Sequence, residues 1–376
     1  LISGSVVLGL TLLVVACPGA LVISIPVSIV AGIGRSARDG ILIKGGEFLE
    51  TAAKIDVVAV DKTGTLTKGR PQLTDVVALA PGVEKNQVLA WAARAEAGSE
   101  HPLARPILEA AEKAGIPVAA LPEHIEPVIG KGITARVEGK RVLIGNLALL
   151  EQFGVADTVG ADRVAHELAT QGRTPMIVAV DDQVLGVIAV ADEIRRDAAA
   201  MVAALHKAGV KKVVMLTGDV KPVADAVAAA TGIDEVHAGL LPEDKLDIVA
   251  RLQRAGHVVA MVGDGVNDAP ALATADAVET ADIALMGDDL LKLPEAISLA
   301  RRTLANIRQN IVIALATVGL LLTGVLMGGV TMAAGMLFHE GSVLIVIANA
   351  MRLLRRATPA HSAPLSTVAR ESAPSI

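Results

Sequence analysis

A chain of 376 residues that is 52% hydrophobic yet 20% charged is too apolar for an ordinary soluble enzyme and too charged for membrane helices alone, so a hybrid of the two is expected. The net charge of −6 excludes a broad basic surface for nucleic acid, and the single cysteine, Cys17, excludes a disulfide framework within the chain. Aromatic residues make up 1% and tyrosine is absent, so the aromatic belts that commonly flank membrane spans are not expected.

The chain opens at Leu1 inside an apolar run with no charged region before it, which is neither a natural start nor a signal peptide; a fragment is the expectation. Residues 4–31 are apolar over enough length to span a bilayer, yet Cys17, Pro18 and Gly19 interrupt their middle. Proline removes a helix amide and clashes with the turn before it, so the helix should unwind there. At membrane depth such backbone is tolerated where it faces protein or water, and a soft thiolate beside freed carbonyls makes Cys17 a candidate metal ligand.

Further on, short apolar runs end in polar clusters and alternate with amphipathic helix patterns. Strands are expected at Val57–Val60, Lys212–Leu216, Val258–Val262 and Asp282–Leu285. Helices are expected at Arg195–Ala208, Val220–Ala230, Glu243–Ala255 and Ala269–Ala275. Strand and helix in series argue a parallel sheet wrapped by helices, whose chemistry gathers at the carboxyl ends of the strands. Residues 71–184 break that rhythm with Pro and Gly punctuation and alternating runs, as a separate α+β insertion would. Two more spans are expected at 311–331 and 333–353, a hairpin turning near Gly328, Gly329 and Gly335. Basic residues flank all three spans on one side (Arg35, Arg38 and Lys44; Arg301, Arg302 and Arg308; Arg352, Arg355 and Arg356), which places the intervening region in the cytoplasm. The tail from Thr358 is rich in Ser, Pro and Ala and is expected to be disordered.

Three strand ends carry DKTGTLT (Asp61–Thr67), TGD (Thr217–Asp219) and GDGVND (Gly263–Asp268). A parallel sheet would bring them together as carboxylates, hydroxyls and glycine amides, a set suited to phosphate and magnesium. No P-loop pattern occurs, and GIGRSA, Gly32–Ala37, follows a membrane span and not a strand, so it lacks the context of a dinucleotide site.

Together the three motifs resemble the phosphorylation domain of the P-type ATPases, a branch of the haloacid dehalogenase superfamily. The resemblance implies an α/β fold: a Rossmann-like phosphorylation domain at 51–70 and 185–300, an inserted α+β nucleotide-binding domain at 71–184, a span with its stalk at 1–50, and a helical hairpin at 301–357 before the tail 358–376. It implies that Asp61 attacks the γ-phosphate of ATP to form an aspartyl-phosphate, that Asp61, Asp264 and Asp268 form the Mg²⁺ site, and that Thr63, Thr217, Gly218, Lys245 and Asn267 contact the phosphoryl oxygens, with Asp219 closing the TGD motif. Thr63 stands where related phosphatases place an acid–base aspartate, so the phosphoenzyme should be longer-lived.

In the insertion, Glu96, His101 in SEHPLA, Gly130 and Gly132 in GKG, and Gly145–Asn146 resemble the nucleotide-binding domain of the heavy-metal-transporting subgroup, where the matching Glu, His and two glycines cradle the adenosine. A cysteine–proline pair in a span ahead of DKTGTLT points to the same subgroup. Its usual pattern is Cys-Pro-Cys; Gly19 stands in the third place here, which removes a thiolate, weakens the case for copper(I) and leaves divalent metals open. His339 and Glu340, an ionisable pair within the final apolar segment, are further candidate ligands for the transported cation. Imidazole, carboxylate and one thiolate suit Zn²⁺, Cd²⁺, Co²⁺ or Fe²⁺. The subgroup's Thr-Gly-Glu actuator loop does not occur in the sequence. The expectation is a multi-pass membrane pump for a divalent heavy metal, working by efflux, with cytoplasmic catalytic domains and its actuator domain and earlier spans outside this sequence.

Overall fold

The computed structural model describes residues 6–99, 103–118, 121–263, 283–285 and 289–355. The chain divides into two units, Leu1–Arg35 with Arg302–Ile376, and Ser36–Arg301.

In the first unit the opening span is broken where proline was expected to break it. Helix Val6–Val15 ends, and helix Gly19–Arg38 begins, on either side of Ala16, Cys17 and Pro18. The amide of Cys17 donates to Val14 O at 3.3 Å and that of Gly19 to Cys17 O at 3.0 Å, so the ladder tightens and then restarts. The other two spans lie in helices Lys292–Leu326 and Met332–Met351. Among the described residues, three helices are long and apolar enough to cross a membrane. The hairpin turns at Gly328, whose φ of +74° favours glycine. Gly335, expected in that turn, lies instead inside the last helix, where a Cβ would come 2.9 Å from Val15 Cγ2. Its role is close helix approach.

Four polar side chains join these spans. Asn310 Nδ2 donates to Ser28 Oγ at 3.1 Å, Ser28 Oγ to Asn306 Oδ1 at 3.0 Å, Asn349 Nδ2 to Asn310 Oδ1 at 2.8 Å, and Asn306 Nδ2 to the Asn349 carbonyl at 3.0 Å. Ser28 and Asn310 are fully buried. Polar side chains are tolerated in apolar helices because they satisfy one another.

The second unit holds strands β1 (Ile41–Ile43), β2 (Val57–Asp61), β3 (Gln72–Ala78), β4 (His124–Val128), β5 (Gly132–Val137), β6 (Lys140–Gly145), β7 (Thr174–Val180), β8 (Gln183–Ala191), β9 (Lys212–Leu216), β10 (Glu235–His237), β11 (Val259–Val262) and β12 (Ile283–Leu285). The parallel sheet runs β10-β9-β2-β11. In β2, Val57 to Val60 are all fully buried, as a parallel strand covered on both faces requires. The insertion forms a six-stranded antiparallel sheet, β3-β8-β7-β6-β5-β4. The expected limit at 184/185 falls inside β8, which pairs with β3 and β7 along its length.

Two further expectations are corrected. The strand at Asp282–Leu285 is not part of the parallel sheet: β12 pairs antiparallel with β1, a strand too short to show a period in the sequence. One edge of the parallel sheet is taken by β10, another three-residue strand. The helix expected from Arg195 starts at Ala198, because the amide of Arg195 donates to Leu66 O at 2.9 Å and Ile194 bridges Thr67. That crossing belongs to the passage between the two sheets. Helices Gly46–Lys54 and Ala198–Ala208, which precede β2 and β9, share one cap: the Arg301 guanidinium donates to the carbonyls of Ala53 (3.1 Å), Ile55 (2.6 Å) and Ala208. A cation at two helix C-termini also matches their dipoles.

Candidate active site

The register of the parallel sheet decides where the motifs meet. Asp61 ends β2 opposite Leu216 of β9, and Val60 stands opposite Val262 of β11. The residues that follow, Thr217 and Gly263, therefore open their loops on either side of Asp61. Asp264, Asn267 and Asp268, like His101 and the helix expected at Ala269–Ala275, lie outside the described residues.

Asp61 is buried, and Lys245 Nζ donates to its Oδ1 at 2.7 Å. Lys245 itself is buried although it lies in the second turn of helix Pro242–Arg254, where Glu243 and Asp244 are exposed. A second ion pair joins Lys62 to Asp219 and ties the first motif to TGD. Thr217 is buried, and its Oγ1 accepts from the Asp219 amide at 3.1 Å. Gly218 and Thr63 are exposed at the mouth of the site. After Asp61 the chain turns through Gly64 (φ +73°), and Thr67 returns its amide to Lys62 O at 3.1 Å. Asp192 fixes the end of that turn: its Oδ2 accepts from Thr67 Oγ1 (2.6 Å) and Gly69 N (2.9 Å), its Oδ1 from Arg70 N (3.0 Å).

A cavity of about 920 Å³ runs beside this site. Glu96, Gly130, Gly132, Gly145 and Asn146 line it from the insertion, and Gly218 and Asp219 from the TGD turn. Gly132 (φ +139°) pairs with Gly145 across β5 and β6, and a Cβ on Gly132 would lie 2.1 Å from Ile144 O. Gly130 (φ +71°) faces open space. Asn146 binds the pair together, donating from Nδ2 to Gly130 O at 3.0 Å and from its amide to Lys131 O at 2.8 Å. Glu96 is 3% exposed. Burial pushes its carboxyl above the ordinary value, against a hydrogen bond from Ser99. Among the described residues its buried Oε2 has no hydrogen-bond partner, so the site can accept a ligand N–H.

In the membrane unit, His339 is buried and Glu340 exposed. A Cβ on Gly19 would lie 3.0 Å from His339 Nε2, which sets the imidazole against the break in the first span. His339 Nδ1 is buried without a hydrogen-bond partner among the described residues. Cys17 is exposed, and among the described residues no three of His, Cys, Asp and Glu form a cluster that could hold a metal. Cys17, His339 and Glu340 thus do not converge as a three-ligand set here. Neighbouring residues on a helix point about 100° apart, which separates Glu340 from His339.

Sequence reasoning passed over Lys62 and Asp192. Lys62 lay in plain view inside DKTGTLT. Asp192 carries no local signal, since the groups it binds are more than 120 residues away.

A model of the haloacid dehalogenase-like hydrolases matches residues 55–276, the stretch holding all three motifs and the insertion. The chain belongs to that family. It is 42% identical to a cadmium-transporting ATPase of Staphylococcus aureus over 92% of this chain and 50% of that protein. It is 42% identical to a manganese-exporting P-type ATPase of Mycobacterium tuberculosis over 94% of this chain and 51% of that protein. Its fold is similar to the crystal structure of a zinc-transporting PIB-type ATPase in the E2.Pi state, with a TM-score of 0.73 and 43% identity, covering 93% of this chain and 58% of the other. The chain spans about half the length of the relatives it matches. It is a multi-pass membrane chain whose catalytic domains are the soluble part.

Proposed function

We propose that the chain supplies the phosphorylated, nucleotide-binding and metal-lining parts of an ATP-driven pump that expels a divalent heavy-metal cation. The observation that carries this reading is the buried Asp61 at the carboxyl end of β2, held at 2.7 Å by Lys245 and flanked by the Lys62–Asp219 pair. An Asp61 oxygen attacks the γ-phosphorus of ATP; the new O–P bond forms as the bond to the β-phosphate oxygen breaks and ADP leaves. Water later attacks the same phosphorus, returning the carboxylate and inorganic phosphate. Lys245 holds Asp61 in place and offers positive charge to the incoming phosphoryl oxygens. Thr217 and Gly218 border the same space, and Asn267 joins them in the family pattern. Asp61, Asp264 and Asp268 would hold Mg²⁺, which when bound neutralises phosphoryl charge. Thr63 offers a hydroxyl where a phosphatase would place a carboxylate, so the aspartyl-phosphate persists.

Glu96, with His101, Gly130 and Gly132, would receive the adenosine, the unpartnered Glu96 oxygen accepting from an amino group of the base. The cation would pass the broken span, met by Cys17, His339 and Glu340. The relatives' names include cadmium, manganese and zinc, and the single thiolate beside an imidazole favours zinc or cadmium among these.

Incubating the chain with γ-labelled ATP and Mg²⁺ tests the central step. Acid-stable, hydroxylamine-labile label is expected on the parent and none on Asp61→Asn; label that survives this substitution would sink the assignment. The metal that stimulates ATP hydrolysis in a protein of the relatives' full length, and its loss in Cys17→Ala, tests the cargo.

A further inference from the structure

The cavity between Glu96 and the Gly218–Asp219 turn has a wall that no motif accounts for: helix Val159–Thr170. Asp162, Ala165, His166 and Ala169 line the cavity from it, and their spacing of three, four and seven places them on one helix face. The alanines leave room, while Asp162 and His166 are exposed. Among the described residues neither side chain has a hydrogen bond or ion pair.

Ile125, Ile144 and Met176 also line the cavity, an apolar contribution that suits the faces of a flat ring. Polar parts of the occupant therefore need partners elsewhere. Among the described residues, Lys131 is the one other side chain lining the cavity that can carry positive charge, and its Nζ is engaged with Gln152 Oε1 at 2.7 Å. The order along the helix follows from its exit. A Cβ on Gly172, two residues past the helix end, would lie 3.5 Å from Ala226 of helix Lys221–Thr231, and that helix starts two residues after Asp219. His166 thus stands one turn nearer than Asp162 to the helix that follows the TGD turn.

We infer that this helix face is the sugar and phosphate wall of the cavity, with His166 donating to an oxygen of the inner phosphates and Asp162 accepting from a ribose hydroxyl. The inference rests on reading the cavity as a nucleotide site. Imidazole N–H to phosphate is a charge-assisted contact, and a carboxylate accepts from a vicinal diol without needing its own proton.

Binding of ADP, 2′-deoxyADP and adenosine to the whole chain in lipid nanodiscs, followed by calorimetry, tests it. His166→Ala is expected to weaken ADP about tenfold while adenosine changes less than about twofold. Asp162→Ala is expected to weaken ADP to the affinity of 2′-deoxyADP and to leave 2′-deoxyADP within about twofold. Both positions are exposed, and unchanged unfolding temperatures separate these effects from misfolding. If both variants bind all three ligands as the parent does while Glu96→Ala weakens all three, the cavity holds the nucleotide but this wall does not touch it, and the inference is overturned. If Glu96→Ala also leaves binding unchanged, the nucleotide reading falls with it.

Discussion

Lys245 and Glu96 are two buried charged residues with opposite circumstances. Lys245 has an anion at hydrogen-bond distance, so each member of the pair offsets the cost of burying the other. Glu96 has a hydroxyl partner and an orphaned oxygen, and its carboxyl is pushed above the ordinary 4.5. A raised acid holds its proton more tightly folded than unfolded. The advantage is full below the ordinary value and is lost as pH rises through the folded one. Glu96→Gln is therefore expected to raise the Tm by about 2–4 °C near neutral pH, and to change little below 4.5. Thermal unfolding at the two pH values checks this; an equal Tm near neutrality would mean the carboxylate is already satisfied. Only part of this was legible. The residue types at Asp61, Thr217 and Glu96 stand in recognisable motifs, whereas a lysine among exposed acidic neighbours on a helix gives no hint that it is buried, and only the resemblance marked it.

At the scale of elements, the strands that read best are those covered on both faces. β2 and β9 are uninterrupted apolar runs, and their limits were legible within a residue. The three-residue strands β1, β10 and β12 are too short for any period, so pairing partners alone define them. The Asp192 clamp is silent for a related reason: its three donors from the Thr67–Arg70 turn lie on the far side of the whole insertion in sequence. Asp192→Ala is expected to cost about 2–3 kcal/mol in stability and to open the turn to trypsin at Lys68. Urea unfolding and limited proteolysis read the two effects; parental stability with a resistant turn would show the clamp to be incidental. The glycine pair offers a finer comparison. Gly132→Ala forces a Cβ against a backbone oxygen at 2.1 Å, while Gly130→Ala meets nothing within 4 Å. Gly130→Ala should therefore keep the fold at a strain cost of about 1 kcal/mol, whereas Gly132→Ala is expected to lower the Tm several-fold more and to abolish ADP binding. Similar losses in both would remove the steric explanation.

At the scale of the molecule, length and hydropathy revealed the three spans and the proline break, but not what locks the spans together. Ser28 and Asn349 are polar residues within apolar runs, Asn306 and Asn310 lie just ahead of the second one, and nothing in the order of the sequence pairs them. Asn310→Leu leaves Ser28, Asn306 and Asn349 short of partners and is expected to weaken the bundle by about 1–2 kcal/mol, seen as a lower Tm in detergent; an unchanged Tm would make the network dispensable. Another large-scale property resides in the crossing of Thr67 with Ile194. The polypeptide departs for the antiparallel sheet and comes home at neighbouring points, so that entire lobe is a cassette hung from one doorway. Evolution or an engineer can lengthen, swap or excise such a cassette and reseal the gap with a tight turn, leaving the parallel sheet and its carboxylate undisturbed.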